Sequence, residues 1–376
     1  MNLLPVLGVG RGDVVAVAGA GGKSSLVSAL AREARDAGLR VAEAATAQRA
    51  LAPLEPERIA ALRAHHDLVL VECDGARGRW LKTPAAHEPV VPPCASMLLV
   101  VASLEAFGRP LLAEVVHRHE RVAAASSRES GSTIDAWVIT RALGSGYPDR
   151  RPTGARLVAF LNATESAEAW ARAVGVASGL VPPYGAVFAG SARQGKAARV
   201  PVFWAVVLAT GQPGAGEARP PAAGAVDALL AAGLQRVTVV LGRHAEDLPR
   251  AFPPDPRVEL LREDAAGRDD PARLWRHAIE AHGSAADVAL VVPATARGLG
   301  SVPVARLLSA APAPVLAARD GDLVQALLFA RERFPELLAL EDGVDPEELL
   351  RRHSDGATPL AERSEDPTSH RNDTRV

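Results

Sequence analysis

The stretch that most constrains this chain is Asp13 to Ser25, DVVAVAGAGGKSS. A Val-rich apolar run (Val14, Val15, Val17) leads into Gly19, Ala20, Gly21 and Gly22, then Lys23, Ser24 and Ser25. Leu26, Val27, Leu30 and Ala34 follow at helical spacing, so the pattern predicts strand, glycine loop and helix in succession. In such a loop the backbone N–H groups turn inward and the helix N-terminus adds partial positive charge, which makes an anion site. Lys23 adds a full charge, and a hydroxyl placed like that of Ser24 can ligate the magnesium of a nucleoside triphosphate. The common phosphate-loop spacing G-x-x-x-x-G-K-[ST] is met only at its end. Gly22-Lys23-Ser24 fit, but Val17 stands where the first glycine belongs. A glycine-rich turn that binds nothing would share these residues. Lysine usage favours the anion site: of 42 Lys and Arg, only Lys23, Lys82 and Lys196 are lysine. A compact ammonium suits a phosphate cradle, whereas a planar guanidinium does not.

A length of 376 residues suggests two or three domains. Hydrophobic residues make up 48% and aromatics only 4%, so the cores must be built from Ala, Val and Leu. A net charge of −2 without a basic block argues against nucleic acid as a partner. Cys73 and Cys94 form neither a disulfide framework nor a metal-ligand spacing. No apolar run approaches membrane-spanning length and the N-terminus lacks a basic leader region, so the expectation is a soluble, cytoplasmic protein with no membrane partner.

Downstream, strands are expected at Gly38–Ala42, within Asp67–Gly75, and at Met97–Ala102, Leu157–Leu161 and Pro182–Ala189. Helices are expected at Glu57–His65, Ile134–Leu143 and Ala167–Val174. This alternation implies a parallel α/β sheet. The run LVLVECDG ends in two carboxylates. At the carboxyl end of a parallel strand they would stand beside the glycine loop. There Asp74 could hold magnesium and Glu72 could orient an attacking water; a plain Asp-Gly turn is the alternative. Gly75 to Pro93 reads as a Pro-stiffened loop carrying Arg77, Arg79, Lys82, His87 and Glu88, suited either to bound phosphates or to a partner. GSARQGK at 190–196 fits the start of a phosphate-loop motif, but Ala197 and Pro201 deny it the hydroxyl and the helix. A second unit begins near Val200, with strands at Val202–Ala209, Val237–Leu241 and Asp287–Val292 and a helix at Ala225–Ala232. Residues from Ser354 onward are polar and turn-rich.

GAGGKSS at 19–25, VECDGARGRWLKTPAAHEPVVP at 71–92 and VHRHE at 116–120 together resemble the selenium-dependent hydroxylase accessory family, also called YqeC-like. That resemblance spans roughly residues 8–190. It implies a P-loop nucleotide-binding protein that serves maturation of selenium-dependent molybdenum hydroxylases. Two departures stand out. The Thr-rich segment of that family is EAATAQ here, keeping Thr46 alone, and its NK-x-D-like signature is Asn162-Ala163-Thr164-Glu165. Residues 200–350 resemble the molybdenum cofactor nucleotidyltransferases. The glycine outline survives at Leu208 to Gly216, but its Arg is absent, no Lys follows Lys196, and Pro293-Ala294-Thr295-Ala296 replaces the metal-binding Asp. Loss of those charges implies an inactive transferase.

The expectation is therefore an α/β protein: a P-loop-type parallel-sheet domain (1–198), a degenerate Rossmann-like, nucleotidyltransferase-like domain (199–352), and a disordered tail (353–376). Residues Gly19 to Ser25 with Lys82 would bind ATP or GTP. Ser24 and Asp74 would hold Mg2+, and Lys23, Glu72 and Asp74 would carry any NTPase chemistry. The partners implied are a nucleotide and a molybdenum hydroxylase or its cofactor. The alternatives are an active molybdenum cofactor cytidylyl- or guanylyltransferase and a non-enzymatic scaffold that docks a hydroxylase.

Overall fold

Strand β1 (Val14–Gly19) is buried along its whole length. Val14, Ala16 and Ala18 face one apolar cluster, and Val15 and Val17 face another. A strand covered on both faces is the signature of a parallel sheet between helical layers. The computed structural model describes residues 2–46, 55–209, 220–242, 251–252, 254–263, 270–294, 296, 299–310, 315–320, 323–353 and 359–361.

The remaining strands are β2 (Val41–Ala45), β3 (Leu68–Glu72), β4 (Leu81–Lys82), β5 (Met97–Ser103), β6 (Val116–His117), β7 (Arg156–Asn162), β8 (Ala186–Ser191) and β9 (Lys196–Arg199), then β10 (Phe203–Ala209), β11 (Val237–Leu241), β12 (Val258–Arg262), β13 (Val288–Val292), β14 (Val315–Asp320), β15 (Leu323–Ala330) and β16 (Pro359–Ala361). They form two seven-stranded sheets, ordered β2-β3-β1-β5-β7-β8-β9 and β12-β11-β10-β13-β15-β14-β16, and a short β4-β6 pair. In the first sheet only β9 runs antiparallel to its neighbour. In the second, β12, β11, β10 and β13 are parallel, and β15 runs against both β13 and β14. The expected α/β class and parallel-rich sheets are therefore present, and the first sheet gives way to the second between Arg199 and Phe203.

One apolar cluster joins the two sheets. Phe203, Ala205 and Val207 of β10 belong to the same cluster as Val14, Ala16 and Ala18 of β1, while Trp204, Val206 and Leu208 face away into a third cluster. Helix Ala167–Leu180 touches β8, β10 and helix Ser301–Ala310, so it serves both sheets. A Cβ on Gly175 of this helix would stand 2.6 Å from the Gly233 carbonyl oxygen. The bare glycine is what lets the second unit approach.

Several boundaries differ from the sequence expectation. Gly38 and Leu39 close the preceding helix by donating to Arg35 O and Ala34 O, so β2 starts only at Val41. The helix expected to stop at Val174 continues to Leu180. Pro182 and Pro183 have no N–H to give to a ladder, and β8 begins at Ala186. Residues 190–196 span the end of β8, the turn at 192–195 and the start of β9, with no helix behind them. Of the expected tail, Pro359–Ala361 pair with β14, whereas 354–358 and 362–376 lie outside the described residues. No helix among the described residues is long and apolar enough to cross a membrane.

Candidate functional site

The parallel strands of the first sheet bring Gly19, Glu72, Ser103 and Asn162 to one edge. Connections leave β1 and β5 in opposite directions there, and such a point opens a crevice. The glycine loop lies in it. Gly19, Gly21 and Gly22 have φ of 99°, 71° and 129°. A Cβ at Gly19 would lie 2.1 Å from Val101 O, and one at Gly22 would lie 2.4 Å from the Asn162 amide nitrogen. Asn162 donates to Gly21 O at 2.9 Å and accepts from Ala192 N at 2.9 Å, which ties the loop to the next turn. Helix Lys23–Asp36 starts directly from the loop, so its free N–H groups face the crevice. The cleft has a volume of about 300 Å³ and is walled by Gly22, Lys23, Ser24, Glu72, Arg77 and Arg193, among others.

The side chains sort into two layers. Facing the cleft, Ser24 Oγ donates to Glu72 Oε2 at 3.0 Å. Lys23 Nζ donates to Gly19 O at 2.7 Å and lies 3.8 Å from Glu72. Behind the loop, Asp74 is fully buried. Both of its oxygens accept from Gly19 N at 3.1 Å; Lys23 stands 3.2 Å from one and Lys82 3.0 Å from the other. A carboxylate has about four acceptor sites, so Asp74 is saturated. Lys82 is equally spent: its three ammonium donors meet Gly75 O at 2.8 Å, Asp74 at 3.0 Å and Glu88 at 2.7 Å. Arg118 closes the row at 2.6 Å from Glu88. Positive and negative groups thus alternate from Lys23 through Asp74, Lys82 and Glu88 to Arg118.

This arrangement separates the residues expected to act together. Gly21, Gly22, Lys23, Ser24, Ser25 and Glu72 line the cleft, whereas Asp74 and Lys82 lie beneath it. Ser24 is bonded to Glu72, not to Asp74. Thr46 donates to Val90 O at 2.8 Å and so braces the loop that carries Glu88; residues 47–54 of that region lie outside the described residues. Arg193 in the cleft wall went unnoticed in the sequence; its signal was the basic glycine turn at 190–196.

Burial works to raise the Glu88 carboxyl, but hydrogen bonds and charge from Lys82 and Arg118 outweigh it and hold the group at about 2. The His117 imidazole is pushed down, first by burial and then by the Lys82 and Arg118 charges. Burial lifts the Cys73 thiol to about 12. Chemically, the cleft offers an anion a helix N-terminus, an ammonium and flanking guanidiniums, with one hydroxyl–carboxylate pair of hard oxygen donors at its rim. Among the described residues no cluster of three or more His, Cys, Asp or Glu could hold a metal by itself.

A protein family described as YqeC protein matches residues 41–120. The span contains Glu72, Asp74, Lys82, Glu88 and Arg118. "Uncharacterized protein YqeC" of Escherichia coli (strain K12) is 32% identical over 112 residues, 28% of this chain and 43% of that protein, so the match spans less than half of the relative. Solved structures similar to the chain include Rv0371c from Mycobacterium tuberculosis H37Rv (19% identity, 43% of this chain and 89% of that one, TM-score 0.36). They also include 4-diphosphocytidyl-2C-methyl-D-erythritol synthase from Anaerococcus prevotii DSM 20548 (11% identity, 42% and 87%, TM-score 0.33).

Proposed function

We propose that the glycine loop holds the phosphates of a nucleoside triphosphate, and that the chain is a nucleotide-dependent accessory factor for selenium-dependent molybdenum hydroxylases. The observation that carries the nucleotide reading is the cradle itself. Glycines fill positions where a Cβ would strike Val101 or Asn162, and Lys23 and the helix N-terminus meet in the same cleft. The donor set also fits magnesium, a hard cation that takes one or two protein oxygens and completes its shell with phosphate and water. Ser24 and Glu72 would hold it, because their oxygens face the cleft while those of Asp74 are occupied. Magnesium bound there would screen the phosphate charge. Lys23 binds phosphate oxygens, Arg77 and Arg193 balance charge from the cleft walls, and Glu72 orients what lies beside the phosphates. The accessory role is what the resemblance at 19–25, 71–92 and 116–120 implies, and the similarity over residues 41–120 supports that kinship.

The test is isothermal titration of the full chain with ATP and with GTP, each with Mg2+. Lys23→Ala should weaken binding at least about 100-fold, the upper range for loss of charge-assisted hydrogen bonds. Equal affinity in wild type and variant would overturn the nucleotide reading. Co-purification of a molybdenum hydroxylase subunit that is indifferent to nucleotide would favour the scaffold instead.

A further inference from the structure

The glycine-loop lysine is not idle in this structure. Lys23 is 5% exposed and is held by Gly19 O at 2.7 Å and by Asp74 at 3.2 Å. To meet a phosphate it must give up Asp74. A buried carboxylate that loses a cation is costly unless another partner remains. What remains is Gly19 N, donating at 3.1 Å, and Lys82 at 3.0 Å. Lys82 has no other task in view: it is fully buried, sits outside the cleft and has all three donors committed.

We propose that Lys82 is a positioning residue, a buried counter-cation that balances Asp74 and so releases Lys23 to the phosphates. Glu88 and Arg118 complete the device. Glu88 balances Lys82 at 2.7 Å and is itself balanced by Arg118 at 2.6 Å, so the Lys82 charge stays in place when Lys23 turns away. The strand pair that fixes this geometry is the parallel β4-β6 ladder, in which Lys82 stands opposite His117. Lys82 acts through Asp74 and touches no ligand. The inference rests on the nucleotide reading above.

The experiment is MgATP and MgGTP titration of the full-length Lys82→Met, Asp74→Asn and Asp74→Asn/Lys82→Met variants, with thermal melting to confirm folding. Lys82→Met leaves Asp74 dependent on Lys23, so affinity should fall at least about 10-fold, because binding must then strip a buried carboxylate of its last cation. The double variant removes the carboxylate charge as well. It should bind within about 3-fold of wild type, because Lys23 is then free and the Asn side chain still accepts from Gly19 N. A merely structural role gives the opposite order, with the double variant no better than Lys82→Met. That order, or an unchanged affinity in Lys82→Met, overturns the proposal. Failure of wild type to bind either nucleotide overturns the nucleotide reading and this inference with it.

Discussion

The two sheets of this chain end their parallel strands in different chemistry. In the first, the strands flanking β1 run into Glu72-Cys73-Asp74 and Ser103, and Lys23 rises between them. In the second, the strands flanking β10 run into Leu241-Gly242 and Val292-Pro293-Ala294, and no ionisable side chain stands at these described strand ends. Packing differs in the reverse sense. Trp204 and Trp275 stack with ring centres 6.0 Å apart and Phe329 lies 6.4 Å from Trp275, whereas the clusters around β1 consist mainly of Ala, Val and Leu. Parallel strand ends supply a place for chemistry, and side chains decide whether it is used. Here charge gathers at the described strand ends beside β1, and large aromatic rings gather around β10.

The largest effect that could break this contrast is on binding stoichiometry. In the full chain, Lys23→Ala should leave no nucleotide site at all, read as loss of the whole titration signal with MgATP and MgGTP. A residual site of full stoichiometry would show that the second unit still binds nucleotide. Next in size is stability. Trp204 is fully buried and its indole N–H donates to Thr238 at 2.9 Å, so Trp204→Ala should cost about 3–5 kcal/mol in denaturant unfolding. Because Trp204 faces away from the cluster shared with β1, the folded variant should keep its nucleotide affinity. A parallel loss of affinity would mean that the two units are energetically one.

The first sheet was largely legible from the sequence because its signals are local. A Val-rich run, three glycines and an amphipathic start place β1, the loop and the helix within Val14–Asp36. Helix Ala167–Leu180 runs past its expected end at Val174 through Gly175, a glycine retained inside it for close packing on Gly233. Helix Pro271–His282 was missed although its signal is ordinary. Asp270 caps it, Pro271 opens it, and Leu274, Trp275, Ala278 and Ile279 make its buried stripe. The residues of the charge row stand in stretches that the sequence marks out, but their alternation in space was not legible. Asp74, Lys82 and Glu88 share the stretch 71–92, Lys23 and Arg118 come from other segments, and no periodicity relates the five. For the same reason the pairing of Ser24 with Glu72 rather than Asp74 could not be seen.

The charge row also predicts an acid response of the first unit. Glu88 has an ordinary value of 4.5 that the fold lowers to about 2. A carboxyl lowered on folding contributes stability that is fully present above its unfolded value and is lost as pH falls through the folded one. Stability should therefore decline between pH 4.5 and about 2 as Glu88 is protonated and Lys82 and Arg118 lose their partner. Asp67, lowered to about 2 chiefly by its hydrogen bond from Arg40, contributes in the same direction. Glu88→Gln should flatten the decline, measured as the pH dependence of the denaturant midpoint. An unaltered slope would show that the row is not coupled to folding.

The smallest effect is on thiol reactivity, and it tests how tightly the base of the site is closed. Cys73 lies between Glu72 and Asp74 in sequence, is 1% exposed, and donates to Val71 O at 3.4 Å. Burial is the main reason its thiol is lifted to about 12; a hydrogen bond with Thr46 opposes this, and the charge of Asp74 adds to it. The reactive species is the thiolate, which is scarce at neutral pH in such a setting. Cys94 is half-buried and should be the one thiol that a mild reagent modifies in the native protein, with Cys73 following only on unfolding. Removing Asp74 opens no path to the sulfur if strands β3 and β1 stay paired, since Cys73 N still donates to Val17 O at 2.8 Å. Native Asp74→Asn should therefore also expose one thiol. Rapid reaction of a second thiol in that variant would show that the carboxylate holds the strand end shut, as well as holding Lys23.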